Sequence, residues 1–207
     1  MAHARLLDIA IREFGAKGLD GASTRSIAAA AKTAMSSITY HYGGKEGLYL
    51  AAADRIAALM AETMTEARIF EEAAAAADPD EARTGIHRIL GQLTDKMATD
   101  ASGEWTLFVM REQMKPSAAF DRIYGGVMGQ MVRTLALLVR LATGQEMREA
   151  QVATITLVGQ VLALRASRAT CLRLLERDTL DADDLARIKA RIHANIDAIL
   201  DSMRGPA

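Results

Sequence analysis

The stretch Met35–Tyr49, MSSITYHYGGKEGLY, decides how the rest of the chain is read. Only 4% of the 207 residues are aromatic, yet Tyr40, Tyr42 and Tyr49 fall within ten positions, together with His41, Gly43, Gly44, Lys45 and Glu46. A core helix does not cluster Ser36, Ser37, Thr39, Tyr40 and His41, because each buried polar group needs a partner. A disordered linker does not carry Ile38, Tyr40, Tyr42 and Leu48 at orderly intervals. The stretch reads as a folded surface that meets something outside the protein.

Toward the N-terminus, Leu6, Leu7, Ile9, Ala10, Ile11 and Phe14 predict a first helix stopped near Gly15 to Gly18. Ser23 or Thr24 caps a short second helix containing Ile27 and the alanines 28–31. Ile38 and Tyr42, four apart, give a third short helix that Gly43-Gly44 ends. Lys45 opens a long fourth helix through Leu48, Ala52, Ile56, Leu59 and Met60 into the alanine tract 73–77. Asp78-Pro79 then breaks the chain, as an N-cap followed by a good first helical residue.

Larger helices follow. Ile86, Ile89, Leu90, Leu93 and Met97 mark a one-faced helix. Trp105, Phe108, Val109 and Met110 mark another, ending before Pro116. Phe120, Ile123, Tyr124, Val127, Met128, Met131, Val132 and Leu135 run as one stripe to about Gly144. Val152 to Leu175 is apolar on most sides and is expected to be buried on two faces. Leu185, Ile188, Ile192, Ile196, Ile199 and Met203 form a narrow stripe behind the capping run DADD at 181–184. With no internal repeat and no β-type alternation, the expected fold is all-α: a helix-turn-helix head over 1–47 and a helical effector-binding and dimerisation domain over 48–207.

Composition agrees and narrows the class. Half the residues are hydrophobic and a quarter charged, the balance of a globular chain. The single Cys171 excludes an internal disulfide framework and fits a reducing cytoplasm. The N-terminus lacks the uninterrupted apolar run of a signal peptide, and ATITLVGQVLALRA at 153–166 is too short for a membrane span. A cytoplasmic protein with no membrane partner is expected. Residues 1–50 hold six Lys/Arg against four Asp/Glu, or +2, so with the net charge of -1 the remainder carries -3. A weakly basic head permits phosphate contact without demanding it.

Three short helices with a tight second connection describe a helix-turn-helix. Its third helix must offer small and polar side chains to base edges while one flank packs on the other two. Ile38 and Tyr42 supply that flank, leaving Ser36, Ser37, Thr39, Tyr40 and His41 to hydrogen-bond bases or phosphates. Met35 either touches a thymine methyl or covers the head. Lys45, at the N-terminus of the fourth helix, is a candidate for phosphate, and in the first turn of the second helix Arg25 is placed to reach the groove edge or a phosphate, with Thr24 a further DNA-binding candidate. A few phosphates per head give modest affinity, so two heads are expected.

Residues 3–52 resemble the N-terminal domain of the TetR family of bacterial transcriptional regulators. They carry in order a phenylalanine-glycine helix end, Thr-Arg-x-Ile-Ala, Tyr-His-Tyr and Lys-Glu-x-Leu. Two positions depart from the family pattern. Lys32 replaces the usual turn glycine, where a left-handed backbone costs on the order of 1 kcal/mol. Ala34 replaces the usual serine cap, leaving Thr33 or Ser36 as substitutes. The segment FVMREQMKPSAAFD and the apolar helix after it are similar to the C-terminal domain of the CecR-like subgroup, whose members are linked to transport and drug sensitivity. The resemblance implies a homodimeric, ligand-responsive regulator, most often a repressor, that binds a near-palindromic double-stranded DNA operator.

For the effector, an unknown small molecule, the candidate lining is Trp105, Phe108, Met110, Arg111, Tyr124, Met128 and Met131. Methionine tolerates irregular space, and a ligand needs a concave apolar site with few polar groups. The methionines and aromatics are also ordinary core candidates, and Arg111 with Glu112 reads equally as a solvated pair. Arg165 and Arg168 are expected to pair with acids or mark an interface, and Cys171 to be a small buried hydrophobe. An enzyme is disfavoured. His3, His41, His87 and His193 are scattered without metal-ligand spacing, and there is no nucleophile elbow, phosphate-cradling glycine loop or second cysteine. No catalytic residue, metal or cofactor is expected. A helical ligand-binding or adaptor protein without sequence-specific DNA binding is the alternative, and it leaves 35–49 unexplained.

Overall fold

The computed structural model describes residues 2–63, 75–98 and 103–204, and every regular element among them is helical. In order these are α1 (Ala2–Gly21), α2 (Thr24–Ala30), α3 (Met35–Tyr42), α4 (Lys45–Thr63), α5 (Pro79–Ala98), α6 (Gly103–Met114), α7 (Ala118–Ile123), a π-helical turn (Tyr124–Met128), α8 (Gly129–Thr143), α9 (Met147–Ala166), α10 (Arg168–Leu175) and α11 (Ala182–Met203). They form two compact units, Met1–Thr65 with Ser102–Gly129, and Glu66–Ala101 with Gln130–Ala207.

The first unit holds the head together with α6 and α7. Its core joins Leu6, Ile9, Ile11 and Phe14 of α1 to Ile27, Ile38, Leu48, Ile56, Phe108 and Ile123. Gly18 breaks α1 with φ 74° and ψ 176°, in the left-handed half of the map that glycine alone enters cheaply. Three residues of helix then follow the break, so α1 ends later than the predicted Gly15–Gly18 stop. Gly15 serves packing instead: a Cβ there would stand 3.1 Å from the Phe108 amide nitrogen. Ser23, not Thr24, caps α2, accepting from the Ser26 amide, and Thr24 is the first helical residue.

The turn into α3 answers both departures from the family pattern. Lys32 adopts φ 54°. The amides of Lys32 and Thr33 donate to Ala29 O and Ala28 O, the paired bonds of a Schellman ending. Lysine thus occupies the left-handed position at the expected cost of roughly 1 kcal/mol. Ala34 is the N-cap of α3 and supplies no side-chain acceptor; neither Thr33 nor Ser36 replaces it. Gly43, at φ 71°, ends α3 as predicted.

The second unit packs Ile86, Ile89, Leu90 and Leu93 of α5 against the inner face of α9 and the buried Ile192, Ile196 and Leu200 of α11. Asp78 caps α5 through the amides of Asp80 and Glu81, and Asp181 with Asp184 forms a capping box on α11. Two expected continuous helices are interrupted. The stripe from Phe120 to Gly144 breaks where Gly126 leaves helical geometry at φ -82° and ψ -148°, a bend that the Gly125-Gly126 pair permits. The apolar run 152–175 bends by 78° at Ser167, between α9 and α10. Among the described residues only the inner face of α9 is buried; Val152, Ile155 and Leu162 on the other side are exposed, and no other described element covers them. No single described helix is long and apolar enough to cross a membrane. The predicted passage of α4 into the alanine tract falls largely on 64–74, outside the described residues.

Candidate nucleic-acid interface

The outward face of α3 follows from its period. Ile38 is 1% exposed and joins the core of the first unit, which turns Ser36, Thr39, Tyr40 and His41 to solvent. Tyr40 is 84% exposed, an unusual state for a large ring unless it has something to meet. Met35 is exposed on the same helix, and Ser37 is half-buried. Thr24, half-buried, and Arg25, exposed, stand in the first turn of α2. The described surface is polar and nearly uncharged along α3, with cations on the flanking helices. That division suits hydrogen bonds to base edges from the centre and to phosphates from the rim.

Lys45 is partly engaged already, its Nζ donating to Asp20 O at 3.0 Å. The bond anchors the ammonium at the start of α4, where the helix dipole also favours an anion. Gly47 brings this turn against α3. A Cβ at 47 would lie 1.6 Å from Tyr42 O, so only glycine fits. Nothing in the residues beside Gly47 announces this contact, although a glycine inside a helical first turn is itself a signal.

Behind this surface, Tyr49 ties α4 to α6. Its ring stands edge-on to Phe14 at 4.9 Å and stacks on Phe108 at 4.5 Å. Its hydroxyl donates to Glu112 Oε1 at 2.6 Å. The other oxygen of this 3% exposed carboxylate accepts from the Ser117 amide, the Ser117 hydroxyl and the Phe120 amide, at 2.8–3.0 Å. Burial, then the bond to Glu112, raises the Tyr49 phenol far above its ordinary value and keeps it a donor. Arg111 grips α1, donating to Gly15 O at 2.6 Å and Ala16 O at 2.7 Å.

The predicted effector residues are therefore not equivalent. Phe108 is fully buried core and Arg111 holds the carbonyls of α1. Trp105, Met110 and Met128 are half-buried, and Tyr124 is exposed with its ring stacked on Phe120 at 5.7 Å. Met131 is buried and belongs to the second unit. A shallow groove in the second unit, about 640 Å³, is lined by Asp78, Pro79, Asp80, Leu141, Ala142, Thr143, Gly144 and Arg204, none of them a predicted effector residue. Arg165 and Arg168 reach carbonyl groups, Lys96 O and Ala98 O, at the C-terminus of α5.

The histidines that looked scattered meet in two pairs. His3 and His41 lie edge-to-face with centroids 4.7 Å apart. His87 and His193 approach with Nδ1 atoms 2.6 Å apart and rings within 9° of parallel. That nitrogen separation is below the roughly 3.5 Å contact of stacked rings, so these two meet edge to edge at hydrogen-bond distance. Asp197 accepts from His87 Nε2 at 2.9 Å and from Arg83 at 2.8 Å. Pairings across 38 and 106 positions leave no local signature.

Residues 6–52 match the profile of the bacterial regulatory proteins of the tetR family. Residues 82–203 match the C-terminal domain of the HTH-type transcriptional dual regulator CecR. The HTH-type transcriptional dual regulator CecR of Shigella flexneri is 30% identical, with 98% of this chain and 92% of that protein aligned. Among solved structures, a TetR-like transcriptional regulator from Rhodococcus sp. RHA1 superposes with a TM-score of 0.58 at 18% identity, covering 98% of this chain and 91% of that one. The transcriptional regulator FadR from Bacillus subtilis, in complex with stearoyl-CoA, superposes with a TM-score of 0.59 at 13% identity, covering 98% of both. At such identities the likeness is one of fold.

Proposed function

We propose, from the premise that this chain belongs to the TetR family of bacterial regulatory proteins and is a DNA-binding regulator of transcription, that it works in the cytoplasm as a homodimeric, ligand-responsive repressor of a near-palindromic operator. The observation that carries this reading is α3, where one buried isoleucine orients a row of exposed hydroxyl, phenol and imidazole groups. Ser36, Ser37 and Thr39 read base edges, and Met35 contacts a thymine methyl. Thr24, Arg25, Tyr40, His41 and Lys45 hold phosphates. The uncovered apolar face of α9 supports a two-fold dimer, which sets both recognition helices on one side of the DNA.

The effector is a mainly apolar small molecule. The candidates are Trp105, Met110 and Met128, which are half-buried, and Tyr124, which is exposed. A ligand that displaced α6 or α7 would act on the head through Arg111 on α1 and the Glu112–Tyr49 bond on α4. Differential binding to the two arrangements would change the head separation and release the operator.

Mobility shift with the DNA upstream of the chain's own coding region tests the reading. Retardation outcompeted by specific but not random DNA supports it; equal competition by both contradicts it. A true effector is expected to change Trp105 fluorescence and weaken operator binding over one concentration range, and operator DNA must lower effector affinity by the same factor. Because the Shigella relative is named a dual regulator, activation is the second reading. A promoter fusion that loses expression when the gene is deleted would favour it.

A further inference from the structure

His3 belongs to none of the recognition elements, yet the first turn of α1 carries it to the end of α3. Its ring stands edge-on to His41 at 4.7 Å and 88°, and His41 in turn meets Tyr40 at 5.0 Å. Its Nδ1 lies 3.3 Å from the Tyr42 hydroxyl. Tyr42 is half-buried, and burial raises its phenol above the ordinary value, so the hydroxyl stays protonated and able to donate. When it donates to Nδ1, the ring proton sits on Nε2, on the far side of an exposed imidazole. The arrangement aims one N–H donor outward beside the exposed Tyr40 and His41.

We propose that His3 is a further DNA-contacting residue, donating from Nε2 to a backbone phosphate while Tyr42 holds its ring and tautomer. The proposal rests on the DNA-binding reading and extends the interface to an element outside the helix-turn-helix. A phosphate contact carries no sequence information, so its loss weakens all duplexes alike.

The test uses the full-length chain and two fluorescent duplexes, one recovered by selection from a random-sequence pool and one unrelated to it. His3→Ala and His3→Asn are expected to weaken both by the same factor, about three- to tenfold, the range of one hydrogen bond. His3→Gln places an amide near the position of Nε2 and is expected to recover part of the loss. Tyr42→Phe is expected to weaken binding in the parent chain and to add nothing once His3 is alanine. Thermal melts confirm that each variant is folded. Parent-like binding by His3→Ala overturns the proposal, and so does full recovery by His3→Asn, which keeps only the Nδ1 side. A parent chain that binds neither duplex overturns the DNA-binding reading itself, a distinguishable outcome.

Discussion

Two helices leave a face open to solvent, and the faces are opposite in character. On α3 the open side carries Ser36, Thr39, Tyr40 and His41, all able to hydrogen-bond. On α9 its large side chains are Val152, Ile155 and Leu162, none able to, with Ile155 71% exposed and only Gln151 and Thr156 as exposed polar neighbours among residues 151–162. Gly159 sits in the same stripe, and a Cβ there would meet nothing within 4 Å. A polar face on a short helix suits a hydrated, charged partner such as DNA. An apolar stripe with a gap suits close approach of another apolar helix. Exposure alone does not identify a partner; the chemistry of what is exposed does.

The largest expected effect would separate the two faces. Gly47→Ala must push α4 from α3, since its Cβ would lie 1.6 Å from Tyr42 O. A loss of about 3 kcal/mol or more is expected, with operator binding abolished and dimerisation through α9 retained. Thermal unfolding, sedimentation and anisotropy would read the three quantities. Unchanged operator binding would show that the first turn of α4 does not position α3. Ile155→Glu should act the other way, giving a folded monomer by sedimentation. Its operator affinity should fall at least about a hundredfold, because two linked heads become one.

Smaller effects sharpen the α3 face itself. Ser37→Ala and Thr39→Ala are expected to cost about 1–3 kcal/mol at particular base pairs, seen as altered preference in a competition series. Lys45→Ala should weaken every sequence equally and reduce the salt slope by about 1. A sequence-dependent loss from Lys45→Ala, with none from the other two, would reverse the roles assigned here.

The smallest effect lies in the second unit and depends on pH. Burial first, and then the charge of His87, lowers the His193 pKa from its ordinary value. The neighbouring charges are Arg83 and Asp95 on α5 and Lys189, Asp197 and Asp201 on α11. Because the folded value lies below the unfolded one, the unfolded chain takes the proton more readily. The stabilisation is complete above about pH 6.5 and is lost as pH falls below that value. Asp197 is also lowered: burial raises it, but bonds from His87 and Arg83 outweigh burial. Its contribution is lost further down, as pH falls below about 4. Melts from pH 7.5 to 5.5 should show a decline that His193→Gln removes; an identical decline in the variant would clear His193 of the effect.

Local signals made much of this legible in the sequence. The glycine at 43, the Asp78 and Asp181 caps, the apolar periods of α5 and α11 and the strained Lys32 each act within a turn or two of chain, so their consequences were readable. Breaks inside apolar stripes were harder. The bend at Ser167 follows no glycine or proline, and the Gly125-Gly126 break was overridden by the hydrophobic pattern around it. Long-range polar pairing was not legible at all. Arg111 looked like a ligand group until α1 was seen to present Gly15 O and Ala16 O to it, and Glu112 looked like a solvated acid until Tyr49 reached it. Such partners are chosen by tertiary structure, and spacing does not encode them.

The measurement closest to the central claim is the stoichiometry and base preference of the full-length chain on DNA selected from a random pool, read together by sedimentation and competition. The account predicts two chains per duplex and near-palindromic half-sites centred about one helical turn, roughly 34 Å, apart. It also predicts base preferences that are lost at particular positions when Ser37 and Thr39 are both alanine. Selection of no common sequence, or one chain bound per duplex with preferences untouched by those substitutions, would contradict it.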